Sequence, residues 1–341
     1  MDDARIGFCC TFVSPSGDVD EQRALNMRQP TIASIARCDA AEGARRLEEV
    51  ILSNLDTLDR QLAYVAELPP LERLFRIISG FLIGWSHPAL ASIWTSALRR
   101  EVEERLARAG AFARAHDVRL SMHPSQHAIL ATHTPAALDN ALHDIEEHAE
   151  IFSMLGYGSG WHPHGASVNI HGGAKSAGME ALRANLPRLS DAARNLLTIE
   201  NDEISFGLDD LLEAADDVAI LVDFHHHWVH SRGEWLEPDD PRLDRLRASW
   251  RGVRPLSHIS VSRENVLVDH DASALPDFAA LEAAGHKASK LRGHSDRMWN
   301  SAVNALMARH LAWTDIEVEA KAKNLASRDL VLAVEALSEP A

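Results

Sequence analysis

Residues 196–227, LLTIENDEISFGLDDLLEAADDVAILVDFHHH, contain one repeating unit of the predicted fold. Two apolar runs, LLTI and VAILV, flank a polar segment in which 207–216 has the pattern of a short helix. Apolar runs of roughly 4–8 residues that alternate with helical segments are typical of βα units, and VAILV is typical of a strand buried on both faces. Each run ends in metal-binding residue types, Glu200 after the first and Asp223 with His226 after the second.

The same unit recurs along the rest of the chain. Further apolar runs lie in RIGF, LFRIIS, VRLSMHP, ASVNIHGG, LSHIS and IEVEAK, which gives eight in all. Eight βα units predict an α/β fold, a closed (β/α)8 TIM barrel, whose chemistry lies at the C-terminal ends of the strands. The residues at or after these ends are Phe8, His87, His123, His171, Glu200, Asp223 with His226, His258 and Glu319. Only Phe8 lacks a coordinating side chain.

We expect one domain over residues 1–341, because α/β barrels commonly exceed ~200 residues and no repeat or low-complexity linker interrupts the pattern. Two segments do not follow the βα pattern: a long loop over 13–43 after strand one and an insertion over about 262–293 after strand seven. Long connections in compact domains are often functional. His162 and His164 precede strand four, so we expect them on the surface at the opposite end of the barrel.

Composition restricts the possible functions. The formal charge of −16 argues against generic nucleic-acid binding, which depends on Lys and Arg neutralising phosphates, although Gly285–Arg297 is locally basic. The three cysteines give neither a disulfide framework nor a zinc site. No apolar run reaches the ~18 residues of a membrane span, and the acidic start MDDARIGF does not look like an export signal. We therefore expect a cytoplasmic protein without a membrane partner.

The strand-end residues predict a metal site, because a barrel brings side chains that are distant in sequence to one axis. Carboxylates and imidazoles without thiolates suit Mn²⁺, Fe²⁺ or Zn²⁺. The number of candidate ligands exceeds the need of one ion, so we expect two or three divalent ions, which can clamp both oxygens of a phosphodiester displacement. Alternation along a strand predicts that His225 and His227 point away from His226 and serve in packing.

A series of motifs occurs in a fixed order along the chain: RIGF, LFRIIS followed by WSHP, RLSMHPSQH, NIHGG, TIENDE, VDFHHHW, GHSDR and EVEAKAK. Through these motifs the chain resembles the UV damage endonucleases, TIM-barrel repair enzymes that nick DNA on the 5′ side of photolesions. The similarity runs along most of the chain, with residues 9–43 as the weakest part.

The resemblance implies a cluster of up to three manganese ions and damaged double-stranded DNA as the partner. Its implied metal ligands are His87, His123, His171, Glu200, Asp223, His226, His258, His294 and Glu319. Of these, His294 comes from the resemblance alone, as the histidine of GHSD. The implied catalytic residues are Glu200, Glu319, His258 and Lys321, where Lys321 either holds a phosphate or pairs with a carboxylate. Gln126 and His127 correspond to the pair that probes the lesion, and Phe8 and Asn201 complete the expected substrate contacts.

The chain departs from the family pattern at a few positions. His127 stands where the family usually has Tyr or Phe. Leu256 stands where it usually has a lysine that can be carboxylated to bridge metals, and leucine cannot bind a metal. Phe8 and Phe12 replace a tyrosine and an asparagine near the first strand end. These departures affect the third ion and DNA recognition.

Two other classes of function remain open from the sequence. A related barrel could act on a small molecule or a peptide, for example as a metal-dependent isomerase or an iron oxygenase, which the acidic charge and Leu256 favour. A non-catalytic barrel that binds nucleic acid or a protein is disfavoured, because buried carboxylates without ions would repel one another. Nicking of irradiated plasmid would distinguish the endonuclease from both.

Overall fold

Eight parallel strands close into a barrel in chain order, each hydrogen-bonded to the next and β8 to β1, in a computed structural model that describes residues 3–338. The predicted (β/α)8 barrel is confirmed. The strands are β1 Ile6–Cys9, β2 Leu74–Ile77, β3 Arg119–Met122, β4 Ser167–His171, β5 Leu197–Glu200, β6 Ala219–Asp223, β7 Leu256–Ile259 and β8 Asp315–Val318.

Helices connect the strands and cover the outside of the barrel. The α-helices of the described residues are α1 Val19–Ala24, α2 Ile32–Ala36, α3 Ala40–Glu67, α4 Ser96–Ala115, α5 Pro135–Phe152, α6 Gly178–Asn185, α7 Asp191–Leu196, α8 Leu208–Leu212, α9 Phe224–His230, α10 Arg242–Ser249, α11 Phe278–Ala283, α12 Ala288–Leu291, α13 Ser301–His310 and α14 Asn324–Ser338. None of them is both long and apolar enough to cross a membrane. The long connection of 13–43 contains α1 and α2, and the insertion of 262–293 contains α11 and α12.

The sequence forms these helices for recognisable reasons. In α3, apolar residues recur every three or four positions, and those from Leu47 to Val65 form one buried stripe against the barrel. The predicted helix over 178–195 is instead split into α6 and α7, with Pro187 in the break. A proline in a helix interior removes a backbone hydrogen bond and clashes with the preceding turn, which explains the split.

The segment after β6 differs from the prediction. His225, His226 and His227 lie on α9, not on a strand, and all three are buried. Asp223 ends β6 and caps α9, since its Oδ1 accepts a hydrogen bond from the His226 backbone N–H at 2.7 Å. The helix turns the three imidazoles in three directions: the Nε2 of His225 contacts the Leu291 carbonyl and that of His227 contacts Glu234. Only His226 faces the strand ends.

The N-terminal end of the barrel is closed by a cluster of charges that we call the floor, formed by Arg5, Arg119, Arg254 and Asp315. Asp315 is fully buried, and its Oδ2 accepts from Arg119 Nη1 at 2.8 Å. Its Oδ1 accepts from Arg254 Nε at 2.7 Å and from the Arg5 backbone N–H at 2.9 Å. Both oxygens of this buried carboxylate are therefore hydrogen-bonded to cationic or backbone donors.

His162 also lies at this end, and the prediction that it is exposed is wrong. Its side chain is 1% exposed, and its ring centroid is 4.6 Å from that of Trp250. Its neighbour His164 is exposed, as predicted. Both residues have positive φ, so the turn before β4 rotates one imidazole inward and the other outward.

Candidate metal centre

The C-terminal ends of the strands form a mouth into which imidazole and carboxylate groups converge. Side-chain donor atoms of three sets of residues lie within 4.8 Å of one another. The sets are His123 with His171 and Glu200; His226 with His294 and Glu319; and Glu200 with Asp223, His226 and Glu319. Because Glu200, His226 and Glu319 each belong to two sets, the sets form one connected cluster.

Strand geometry creates this convergence. β4 pairs with β5 so that His171 lies beside Glu200, and β7 pairs with β6 so that His258 lies beside Asp223. The loops after β3 and β4 touch through a bridge between Ala131 and Gly173. Gly173 has φ 128°, and a Cβ there would lie 2.7 Å from the Ala131 carbonyl oxygen, so only glycine permits this approach.

Backbone carbonyls orient three of the histidines in the same way. Nδ1 of His123 lies 2.8 Å from the Pro124 carbonyl, that of His226 3.1 Å from the Asn201 carbonyl, and that of His294 2.8 Å from the Glu319 carbonyl. A carbonyl can only accept, so each Nδ1 carries a proton, and each ring presents a lone pair on Nε2 when it is neutral. A backbone acceptor on one ring nitrogen is a common way to orient a metal-binding histidine.

Two of these lone pairs face each other. Nε2 of His294 is 3.4 Å from Nε2 of His226. With both rings neutral this contact has no proton to share, and a cation bound by both nitrogens would relieve the repulsion. Burial lowers the pKa of His226, but the nearby carboxylates of Asp223 and Glu200 outweigh it and raise this pKa well above its ordinary value. The position therefore attracts positive charge.

Buried atoms without hydrogen-bond partners mark the centre of the mouth. Among residues 3–338 these include both carboxylate oxygens of Glu200, Oδ2 of Asp223 and Nδ1 of His171. Imidazole nitrogens of His123, His226 and His258 lie 3.1–3.5 Å from the Glu200 oxygens, but no hydrogen bond forms to either oxygen. An unpaired buried carboxylate is costly unless a cation compensates it, so these residues fit divalent metal ions.

The charges of the mouth shift the pKa values of its carboxyl groups in opposite directions. Burial raises the pKa of Asp223, and the carboxylates of Glu200 and Glu319 raise it further. Burial also opposes ionisation of Glu200, yet the imidazoles of His258 and His171 outweigh it and hold this pKa well below its usual range. A pair of neighbouring carboxyls with divergent pKa values is typical of a functional site.

Other residues hold these candidate ligands in place. The Asn201 amide is fully buried and exchanges two hydrogen bonds with the Asp223 backbone, at 2.9 and 3.0 Å. On the other side of the mouth, Ser79 Oγ donates to the His123 carbonyl and lies 2.9 Å from Nε2 of His148. Asn201 thus braces a candidate ligand, and both of its amide heteroatoms are hydrogen-bonded to the Asp223 backbone.

Several predicted site residues do not reach the cluster. His87 is exposed, and its Nδ1 accepts a hydrogen bond from the Ala89 N–H. Phe8 is 3% exposed and packs on Phe75, with ring centroids 5.2 Å apart. It points outward to the helices because Cys9, the next residue, points into the barrel. Lys321 follows β8 at the rim and forms an ion pair with Asp296 at 3.0 Å.

His258 has a different environment from the other histidines. Its Nε2 lies 2.6 Å from Nη2 of Arg76, and its Nδ1 lies 3.1 Å from Glu200 Oε1 and 3.3 Å from Glu319 Oε1. A guanidinium only donates, so Nε2 accepts from Arg76, and Nδ1 carries a proton on the side of the two carboxylates. His258 therefore offers no lone pair to a metal ion on that side.

Sequence reasoning missed Arg76 and Glu317, which lie in the barrel just below the mouth. Both are charged residues in the middle of apolar strands, in LFRI of β2 and DIEV of β8. Glu317 stands two residues before Glu319, so alternation places both side chains inside the barrel. A charge in an otherwise buried strand was the signal that could have found them.

Comparisons with known proteins agree with this geometry. A family model described as UV-endonuclease UvdE matches residues 4–339. The UV DNA damage endonuclease of Bacillus velezensis is 25% identical over 321 residues, which cover 90% of this chain and 88% of that protein. The UV-damage endonuclease of Neurospora crassa is 28% identical over 212 residues, which cover 58% of this chain but only 32% of that protein.

The fold has a close counterpart among solved structures. The crystal structure of SacUVDE superposes with a TM-score of 0.74 over 99% of this chain and 100% of that one, at 20% sequence identity. This likeness concerns the barrel, whereas the family match concerns the sequence over almost its whole length. On these grounds the chain belongs to the UV-endonuclease UvdE family.

Proposed function

We propose that this protein is a metal-dependent DNA repair endonuclease that cleaves the phosphodiester backbone on the 5′ side of UV photolesions in double-stranded DNA. The observation that carries the proposal is the set of unpaired carboxylate oxygens and imidazole lone pairs at the mouth of a barrel of this family. Nitrogen and oxygen donors without thiolates suit Mn²⁺, and also accept Fe²⁺ or Zn²⁺.

The residues of the mouth would have different roles in such a reaction. Bound divalent ions would supply the positive charge that holds a scissile phosphate and lowers the pKa of a water molecule. Glu200 belongs to two of the ligand sets, so it could help to hold an ion in either of them. Asp223 offers only Oδ2, because its Oδ1 caps α9. Lys321, held by Asp296, would have to exchange that partner to reach a phosphate.

Basic residues around the mouth support a DNA substrate despite the acidic chain. Exposed cations follow two of its strands or lie in the insertion and its end, and none pairs with a carboxylate within the part of the chain that the structure describes: Lys175 after β4, Arg263 after β7, and Lys287, Lys290 and Arg292 in the segment that leads to His294. Unpaired cations on one face are what phosphate contacts require. The net charge of −16 arises elsewhere.

The loop after β3 supports recognition of the lesion. Gln126 and His127 are exposed, three and four residues beyond His123. We propose that they enter the duplex beside the lesion, where damaged bases already stack and pair poorly. The imidazole of His127 would stack on a base with less area than the Tyr or Phe expected from the family.

Supercoiled plasmid, irradiated or not, tests the proposal. Protein loaded with Mn²⁺ should convert only the irradiated plasmid to open circles, and a duplex with one defined photolesion should be cut on its 5′ side. Glu200→Ala should abolish the cleavage, whereas Glu103→Ala, at an exposed position of α4, should not. Inertness of the metal-loaded protein toward both plasmids would contradict the proposal and favour a small-molecule or peptide substrate.

A further inference from the structure

Arg76 lies on the inner side of the candidate metal centre, which is the side that faces the interior of the barrel; the outer side faces the open mouth. It lies on β2, is 5% exposed, and uses all three guanidinium nitrogens in contacts with the mouth. Nε and Nη2 donate to Glu317 Oε2 at 2.9 and 2.6 Å, and Nη1 donates to Glu319 Oε1 at 2.6 Å. Nη2 also donates to Nε2 of His258 at 2.6 Å. Two carboxylates and one imidazole thus surround a single cation.

The acidic partner Glu317 is satisfied where Glu200 is not. It is fully buried, its Oε2 accepts twice from Arg76, and its Oε1 accepts from Ser121 Oγ. Burial alone would raise the pKa of Glu317, but Arg76 lowers it to about 2. This carboxylate is charged and already compensated by a side chain of the protein itself.

Glu319 connects the inner and outer sides of the centre. Its Oε1 is taken by Arg76, while its Oε2 faces outward, 3.9 Å from Nδ1 of His294. Leu256, on the same face of β7 as His258, is fully buried and adds no ligand on the inner side. The inner position therefore has the ligand types of a metal site but holds a guanidinium.

We propose that Arg76 is a built-in cation that fills this inner position, so that divalent ions bind only on the outer side of the centre. The proposal rests on the metal dependence proposed above and limits the number of ions to two. The four carboxylates that belong to the ligand sets or contact Arg76 are Glu200, Asp223, Glu317 and Glu319, and with the charge of Arg76 they leave three negative charges. Two divalent ions and one phosphodiester bring this total to zero, whereas a third ion would leave an excess of positive charge.

Counting bound Mn²⁺ at saturation tests the proposal. We expect two ions per chain in the wild type and in Arg76→Lys, which keeps the charge. Arg76→Leu should bind three, since Glu317, Glu319 and His258 are then free to hold one more. Its melting temperature should also rise more on Mn²⁺ addition than that of the wild type, because the ion restores the missing charge.

Arg119→Leu is the matched control. Arg119 is 3% exposed and also pairs with a buried carboxylate, but at the floor. It should lose stability without gaining an ion. The double variant Arg76→Leu/Glu317→Gln removes both charges of the ion pair, so that neither is left buried without a partner. It should again bind two ions.

The outcomes separate this proposal from the proposed function. Three ions in the wild type would overturn it even if Arg76→Leu fails to fold. An unchanged count in folded Arg76→Leu would also overturn it, while leaving the endonuclease proposal intact. Failure of the wild type to bind any Mn²⁺ would overturn both.

Discussion

Asp315 and Glu200 are buried carboxylates at opposite ends of the same barrel, and they differ in what their oxygens touch. Asp315, at the floor, accepts hydrogen bonds on both oxygens from Arg119, Arg254 and the Arg5 backbone. Glu200, at the mouth, accepts none, although three imidazoles approach within 3.5 Å. Both side chains are buried carboxylates, so neither burial nor functional group distinguishes a structural carboxylate from a candidate metal ligand.

The difference shows that the hydrogen-bond partners of a buried carboxylate, and not its burial, indicate whether it could bind a metal ion. A buried charge that the protein itself compensates holds the fold together, whereas an uncompensated one indicates a ligand. Arg76 contacts a carboxylate of each kind. It compensates the charge of Glu317, as Arg119 does for Asp315, but its other partner, Glu319, is also a candidate metal ligand. The comparison predicts that equivalent substitutions at the two ends have opposite effects.

The largest expected effect is the loss of activity in Glu200→Gln. The amide keeps the shape of the side chain but removes a charged ligand shared by two sets, so the single-turnover nicking rate at saturating Mn²⁺ should fall roughly 1,000-fold or more. Stability of the chelator-treated protein should change by about 1 kcal/mol or less, because Glu200 makes no hydrogen bond. Substantial activity in this variant would show that the unpaired carboxylate of Glu200 is no more important for catalysis than a structural carboxylate such as Asp315.

Asp315→Asn should show the reverse. It leaves Arg119 buried without its anionic partner, so the free energy of unfolding, measured with urea at pH 7, should fall by about 3–5 kcal/mol. The folded fraction should bind as much Mn²⁺ as the wild type. A loss below about 1 kcal/mol would mean that the ion pairs of the floor do not stabilise the fold.

His162, which is buried at the same end of the barrel as the floor, should make the stability of the protein sensitive to acid. Burial, with the charges of Arg119 and Arg251 nearby, lowers the pKa of this imidazole to about 3. The unfolded chain binds its proton at a pKa of about 6.5, so the stability that neutral His162 contributes is complete above that pH and is lost as pH falls toward 3.

Between pH 6.5 and 4.5 this loss amounts to about 2–3 kcal/mol of unfolding free energy. Urea titrations at several pH values should therefore show a flatter acid limb for His162→Asn, since asparagine tolerates the same left-handed backbone. His164→Asn is the control, because His164 shares that backbone conformation but is exposed. Equal acid limbs in the wild type and His162→Asn would rule out this role.

The smallest expected effect concerns the rim of the mouth. Arg292→Gln removes a cation that has no carboxylate partner among residues 3–338, so DNA affinity should fall severalfold and the salt dependence of binding should weaken by about one phosphate contact. Arg297→Gln is the comparison, since Arg297 is already paired with Asp329 at 2.6 Å. Fluorescence anisotropy over a range of salt concentrations measures both, and equal slopes for the two variants would contradict a role of Arg292 in phosphate binding.

The barrel and most of the mouth were predictable from sequence because both depend on local patterns. Apolar runs with ligand types at their ends located His123, His171, Glu200, Asp223 and Glu319. The resemblance to a family was needed for His294, because it directly follows the insertion over 262–293, where no periodicity applies.

Other residues were misplaced for physical reasons. The backbone turns into α9 directly after Asp223, so alternation did not apply to the three histidines that follow. The sequence predicts Phe8 at the strand end, but β1 extends to Cys9, and the inward residue is Cys9. Arg76 and Glu317 depend on contacts between β2, β7 and β8, which no single segment reveals.

The place of Glu319 in the chain has a consequence for how the protein is made. Two of the three ligand sets include this residue, which directly follows β8, the strand that joins β7 to β1. A ribosome therefore has to translate all eight strands before the last candidate ligand emerges. A chain that stops before β8 lacks both the closed barrel and the complete set of candidate ligands, so neither can form until that strand has been made.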